Sequence, residues 1–229
     1  MIPKSGNRFS DQIMRKNVLR VIIAGFGPFP GAPSNPSGRL ATALARRRRP
    51  ALAGIEIESH IFATAYDAVD RDLPKLLARK PDVILIFGLA GRRREICIET
   101  RARNARSLNF PDAGGSRPER RPIDTGQGCE LKGKAPFAQL LHAVRRTALP
   151  ARLSRDAGTY LCNYAYWRAL QAARRDHPLV QFVHIPPLAS KARRAGALRG
   201  APPLSRLVAA CEHLLVTLIS ASRKSHCAF

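Results

Sequence analysis

The apolar positions of this chain fall into short, dense runs separated by glycine- and proline-rich stretches, and the runs alternate in character. Val18 to Gly25 (VLRVIIAG) is rich in β-branched residues and empties into Gly25-Phe26-Gly27-Pro28-Phe29-Pro30-Gly31, the pattern of a buried strand followed by a turn-rich loop. Ser37 is placed to cap a helix through Leu40, Ala43 and Leu44, stopped by the run Arg46 to Arg49 and by Pro50. Ile55 to Ala63 alternates like a strand, and Ala68 to Ala78 carries leucines at helical spacing. Val83 to Phe87 (VILIF) is a second wholly apolar strand, again followed by a glycine loop, Gly88-Leu89-Ala90-Gly91. Ile96 to Ala102 alternates as a further strand. Phe110 to Gly133 reads as one long connection, of a length that carries function more often than it marks a boundary. Beyond it the pattern predicts a helix over Pro136 to Arg146 with Pro in its first turn and a strand over Ala151 to Ser154. A helix over Tyr160 to Arg175, a strand over Val180 to His184 and a closing amphipathic helix over Leu204 to Ser222 follow.

Strands alternating with helices predict an α/β fold: a single three-layer α/β/α domain around a mostly parallel central sheet. The expected domain covers 18–222, with a flexible N-terminal extension over 1–17 and a tail over 223–229. In such sheets functional residues gather beyond the carboxyl ends of the strands. Phe26, Leu89, Cys162 and His184 all stand at or just after such ends.

Composition narrows the class. At 229 residues and 45% hydrophobic the chain is long and apolar enough to bury a core, which argues against bulk disorder. The polar stretch Met1 to Asn17 lacks a signal-peptide core, and the apolar runs look too short to span a bilayer, so no membrane association is expected. Five cysteines, odd in number and without a CxxC pair, argue against a disulfide framework or structural zinc and for a reducing, cytoplasmic location. No metal and no organic cofactor is expected. The formal charge of +23 permits binding to polyanions. Its arginines are scattered along the chain without interleaved aromatics, which points to a solvated basic surface with weak, non-specific polyanion binding.

Two segments carry chemistry. Ala157-Gly158-Thr159-Tyr160-Leu161-Cys162-Asn163 puts a cysteine just past a small-residue turn at the start of a helix, and Phe182-Val183-His184-Ile185-Pro186 ends a strand with a histidine. A helix N-terminus and an imidazole are two devices that activate a thiol. Taken singly, Cys162 also suits a small buried hydrophobe, His184 a satisfied core histidine and Glu99 a solvent-facing position of an alternating strand.

Together with two further segments these residues resemble the pyroglutamyl peptidase I (pyrrolidone-carboxylate peptidase) family of cysteine peptidases. Gly25-Phe26-Gly27-Pro28-Phe29 followed by Asn35-Pro36-Ser37 is similar to the family's GF-x-PF-x-G…NPS. Gly88-Leu89-Ala90-Gly91 with Ile96 and Glu99 is similar to its GQAGGR…I-x-x-ER. Ala157 to Asn163 resembles its AGTF-V-CN motif, and Phe182 to Pro186 its FIH-x-P. The resemblance covers roughly Val18 to Ser220 and implies Cys162 as nucleophile, His184 as general base and Glu99 as the acid that orients the imidazole. It also implies a pocket for a small lactam ring near Phe26, Phe29, Asn35, Leu89, Phe110, Tyr160 and Leu161. The implied activity is removal of an N-terminal pyroglutamyl residue from a peptide with a blocked N-terminus, by an enzyme whose relatives commonly form homo-oligomers. Leu89 stands where the family has glutamine, and Arg92 where it has glycine. Thr100 stands where it has the arginine after the glutamate, and Asn109 and Phe110 where it has Arg-Ile. Two alternatives follow: the same three residues acting on another N-blocked peptide or small cyclic amide, or a non-catalytic basic relative that binds nucleic acid or acidic partners.

Overall fold

The computed structural model describes residues 18–29, 32–176, 178–189 and 201–226. The expected extension over 1–17 lies outside them. The strands are β1 (Leu19–Phe26), β2 (Ile55–Phe62), β3 (Val83–Leu89), β4 (Ile96–Glu99), β5 (Arg101–Arg103), β6 (Glu130–Lys132), β7 (Ala151–Ser154) and β8 (Leu179–Ile185). The helices are α1 (Pro36–Ala45), α2 (Tyr66–Leu77), α3 (Phe137–Arg145), α4 (Leu161–Asp176) and α5 (Leu204–His226).

Six strands form one sheet in the order β2-β1-β3-β8-β4-β7, and β5 pairs with β6 in a separate ribbon. Neighbours in the large sheet are parallel except at the β8–β4 seam, which is antiparallel. The period-two alternation sorts side chains to two apolar layers. Val21 and Ile23 of β1 face one cluster with Leu40 and Leu44 of α1, Leu140 and Val144 of α3, and Leu207, Leu214 and Leu218 of α5. Ile22, Ala24 and Phe26 face the other, with Val69 and Leu73 of α2 and Tyr164, Tyr166 and Trp167 of α4. The sheet is thus covered on both faces, the three-layer arrangement that its strand–helix alternation predicts.

Four expectations change in detail. Asn35, not Ser37, caps α1: its side chain accepts from the Ser37 N–H at 3.1 Å, while the buried Ser37 hydroxyl accepts from the Phe26 N–H at 3.0 Å. The run Ile96 to Ala102 divides into β4 and β5, because the chain leaves the large sheet after Glu99 to pair in the ribbon. The long connection after Phe110 ends in β6, the other half of that ribbon. Finally, α5 extends to His226, into the expected tail, and its stretch Leu204–Lys224 has the length and apolarity to cross a membrane, contrary to the expectation of short runs only. Leu207, Ala210, Cys211, Leu214, Leu215 and Leu218 are all fully buried against the rest of the fold, so this is a core helix.

Candidate active site

The antiparallel seam brings two distant side chains together. Cys97 pairs with His184 and Glu99 with Phe182 across β4 and β8. Residues diagonal across such a pair share a face, within reach of a long side chain. Glu99 and His184 are diagonal in this sense, and Glu99 Oε1 lies 2.8 Å from His184 Nδ1 although 85 residues separate them in the chain. Glu99 is fully buried, unlike the solvent-facing position that its alternating strand taken singly suggests. Its backbone carbonyl accepts from Tyr166 Oη and Gln181 Nε2, both at 3.0 Å, which fixes the end of β4 where the carboxylate projects.

Cys162 reaches this pair from the helix side. Gly158 has φ of +83°, a left-handed conformation that suits glycine, and it turns the chain into α4. The first bond back into the helix is Tyr164 N–H to Tyr160 C=O at 3.0 Å, so the N–H groups just before it lack intrahelical acceptors. Cys162 lies in that first turn, half-buried, and lines the same cavity as the His184 imidazole. Asn163, fully buried, secures the opposite side of the turn. Its Oδ1 accepts from Arg103 N–H at 2.8 Å, and its Nδ2 donates to the carbonyls of Arg103 and Ala105 at 2.8 and 3.0 Å.

Gly88 of β3, the register partner of His184, forms the floor. A Cβ at this position would lie 2.8 Å from Cys162 Sγ and 2.7 Å from the Phe182 ring, so the thiol rests on bare backbone.

The electrostatics follow from these contacts. Burial alone would raise the Glu99 carboxyl. The hydrogen bond from His184, the influence of Ser154 and the charge of Arg93, whose Nη1 donates to Glu99 Oε1 at 2.9 Å, instead hold it below the usual carboxylate range. An ionised carboxylate only accepts, so the His184 Nδ1 carries the shared proton and Nε2 is left for Cys162. Burial also works against the imidazolium, yet Cys162 and Glu99 together push His184 up to about 9.

A cavity of about 180 Å³ opens onto the Cys162 thiol. Phe26, Phe29, Asn35, Leu89, Tyr160 and Leu161, expected there, line it with Cys162 and His184. Phe110 does not: it is 65% exposed on the loop outside, so its expected place in the pocket is corrected. Sequence reasoning missed Thr64, Ala157 and Gly158 as lining residues and Gly88, Arg93 and Asn163 as supports. Arg93 occupies the last position of the segment resembling GQAGGR, which was the available signal. The polar side chains of the lining are largely committed. Asn35 Nδ2 and Thr64 Oγ1 donate to Gly27 C=O at 3.0 and 3.1 Å, and Tyr160 Oη donates to Pro111 C=O at 2.8 Å. Among the described residues no group of His, Cys, Asp and Glu side chains is arranged to hold a metal ion.

Known proteins share this arrangement of elements. A family profile described as "Pyroglutamyl peptidase" matches residues 19–223. The pyrrolidone-carboxylate peptidase of Thermococcus onnurineus is 33% identical over 171 residues, covering 73% of this chain and 84% of the relative. That of Gloeobacter violaceus is 30% identical over 178 residues, covering 77% and 85%. Among solved structures, pyrrolidone carboxyl peptidase from Thermococcus litoralis superposes with a TM-score of 0.81 at 25% identity, covering 90% of this chain and 96% of that one. Pyroglutamyl peptidase I of Bacillus amyloliquefaciens gives 0.76 at 26% identity, covering 89% and 98%. On the profile match and the shared three-layer fold, the chain belongs to the pyroglutamyl peptidase family.

Proposed function

We propose that this protein is a cysteine peptidase that removes an N-terminal pyroglutamyl residue from peptides, with Cys162 as nucleophile, His184 as base and then acid, and Glu99 holding the imidazole. The thiolate of Cys162 attacks the carbonyl carbon of the pyroglutamyl residue, and its proton resides on His184 Nε2. As the tetrahedral adduct collapses, the C–N bond breaks and the imidazolium hands that proton to the departing amine. Water then attacks the thioester, again losing a proton to His184. The C–S bond breaks, pyroglutamate leaves and the thiol is restored. In this reading the oxyanion is received by backbone N–H groups at the start of α4, which lack intrahelical acceptors.

What carries the reading is one imidazole bonded to a buried carboxylate and lining, together with a half-buried thiol, a single small apolar cavity. Drug-sized ligands occupy roughly 300–1,000 Å³, so this cavity suits a single small ring. Its described lining holds no carboxylate, so a free N-terminal ammonium would be desolvated there without a counter-charge, whereas an uncharged lactam would not. A cytoplasmic location belongs to the same proposal, because a thiolate nucleophile must stay reduced and Cys97, Cys129, Cys162 and Cys211 are all free.

Hydrolysis of a fluorogenic pyroglutamyl amide tests the proposal. Cys162→Ser is expected to lose at least about 10³-fold in rate, and alkylation of one thiol to silence the enzyme. Wild-type turnover by Cys162→Ala would refute it.

A further inference from the structure

The proposed chemistry leaves the charge around the cavity mouth unused. A cavity of about 180 Å³ holds the ring alone, so the residues of a peptide beyond the scissile bond must lie on the rim. The turn after β3 follows the lining residue Leu89, and the loop over 104–122 runs beside the lining residues Tyr160 and Thr64. The loop is fastened to the cavity wall by Tyr160 Oη to Pro111 C=O at 2.8 Å and by Ala113 N–H to Thr64 C=O at 2.8 Å. A third tie, Ser107 N–H to Thr159 C=O at 2.6 Å, lies just before Tyr160.

Both segments are rich in arginine without counter-charge. Arg93 is engaged with Glu99, but Arg92, Arg94, Arg117, Arg120 and Arg121 are exposed and make no ion pair among the described residues. The carboxylates nearby are mostly committed. Glu95 pairs with Arg152, and Asp112 is buried, accepting from the backbone N–H groups of Tyr66, Gly114 and Ser116. Glu119 is the exposed exception. Elsewhere the arginines are more often neutralised: Arg20 pairs with Glu56, Arg79 with Glu58, and Arg47 and Arg49 share Glu212.

We infer that the arginine rim makes this protein select pyroglutamyl peptides whose next residues carry carboxylates. The inference rests on the proposed function. The physical basis is attraction between an acidic leaving segment and unpaired guanidinium groups, which raises encounter rate and binding together and weakens as salt rises.

The test compares kcat/KM for pyroglutamyl-Asp-Asp, pyroglutamyl-Ala-Ala and pyroglutamyl-Lys-Lys amides, with a small neutral pyroglutamyl amide as reference. Each exposed ion pair is expected to contribute about 1.5- to 5-fold, so the aspartyl substrate should exceed the alanyl one by roughly 2- to 25-fold at low salt. The lysyl substrate should fall below both. Raising salt to about 0.5 M should compress the series. The double variants Arg92→Ala/Arg94→Ala and Arg120→Ala/Arg121→Ala should compress it too while leaving the neutral amide unchanged. Turnover of the neutral amide with equal rates on the three peptides overturns this inference and leaves the proposed function standing. So does a preference that persists at high salt. If the neutral amide itself is not hydrolysed, the proposed function fails and takes the inference with it. A single-stranded oligonucleotide serves as competitor. Strong inhibition by it at about 0.15 M salt, with no discrimination among the peptides, would assign the rim to polyanions instead.

Discussion

Gly88→Ala is the smallest change that tests whether the thiol position matters. The new Cβ would lie 2.8 Å from Cys162 Sγ and 2.7 Å from Phe182 Cζ. Carbon atoms pack best at about 3.5–4.0 Å, so one or both neighbours must retreat by roughly 0.8 Å. Phe182 has nowhere to go: it is fully buried, with its ring centroid 5.6 Å from that of Tyr166 and 5.0 Å from that of His184. The thiol is on a half-buried residue at the edge of an open cavity and is the softer of the two. It should therefore move off the floor and away from its place beside the imidazole. Displacement by about 1 Å costs on the order of 10²-fold in rate, so kcat/KM on a pyroglutamyl amide should fall roughly 10- to 100-fold. Overpacking should cost a further ~1–3 kcal/mol of stability. The two effects are separated by measuring kcat well below the melting transition and unfolding by urea on the same preparation. A folded Gly88→Ala protein with wild-type kcat would refute the reasoning, because it would mean that the thiol proposed as nucleophile does not rest on this backbone.

Four further outcomes follow from the same geometry. Burial opposes the charge on His184, and Cys162 with Glu99 overcomes it to set a value of about 9, so the alkaline limb of kcat/KM should lie near that pH and move lower in Glu99→Gln, which a pH–rate profile reads directly. The sign for stability is that of a raised base: this group's contribution is complete below its ordinary value of 6.5 and is lost as pH rises through about 9, visible as a falling urea midpoint. Leu89→Gln should increase kcat/KM on a pyroglutamyl amide by about 5- to 150-fold, since leucine offers no partner to a buried lactam group and the other polar side chains of the lining are engaged. A loss of activity in that variant would mean that the pocket is built around leucine. Asn163→Ala removes three partly buried hydrogen bonds that tie Arg103 and Ala105 to α4, and should lower unfolding free energy by about 2–4 kcal/mol in urea titration.

Much of this protein could be read along the chain. Short β-branched runs such as Val83 to Phe87 can satisfy their backbone and bury both faces only inside a covered sheet, so strand identity and the three-layer class follow from local pattern. Cys162 and His184 were legible for a related reason: a thiol at a helix start and a histidine at a strand end are local arrangements, written in consecutive residues. Periodicity says which side of a strand a residue shares with its neighbours, but not which strand lies alongside. Nothing within Ile96 to Thr100 marks Glu99 as buried, because its environment is created by β8, which enters the sheet beside it in antiparallel register. The ion pair from Arg93, the bare floor at Gly88 and the outward turn of Phe110 depend in the same way on segments remote in sequence. The sequence by itself determined the elements and their chemistry, since hydrogen bonding and side-chain alternation act over a few residues. Only the tertiary structure decided which carboxylate meets the imidazole and which side chains line the cavity beside Cys162, because those contacts are set by strand order and by the packing of α4 over the sheet.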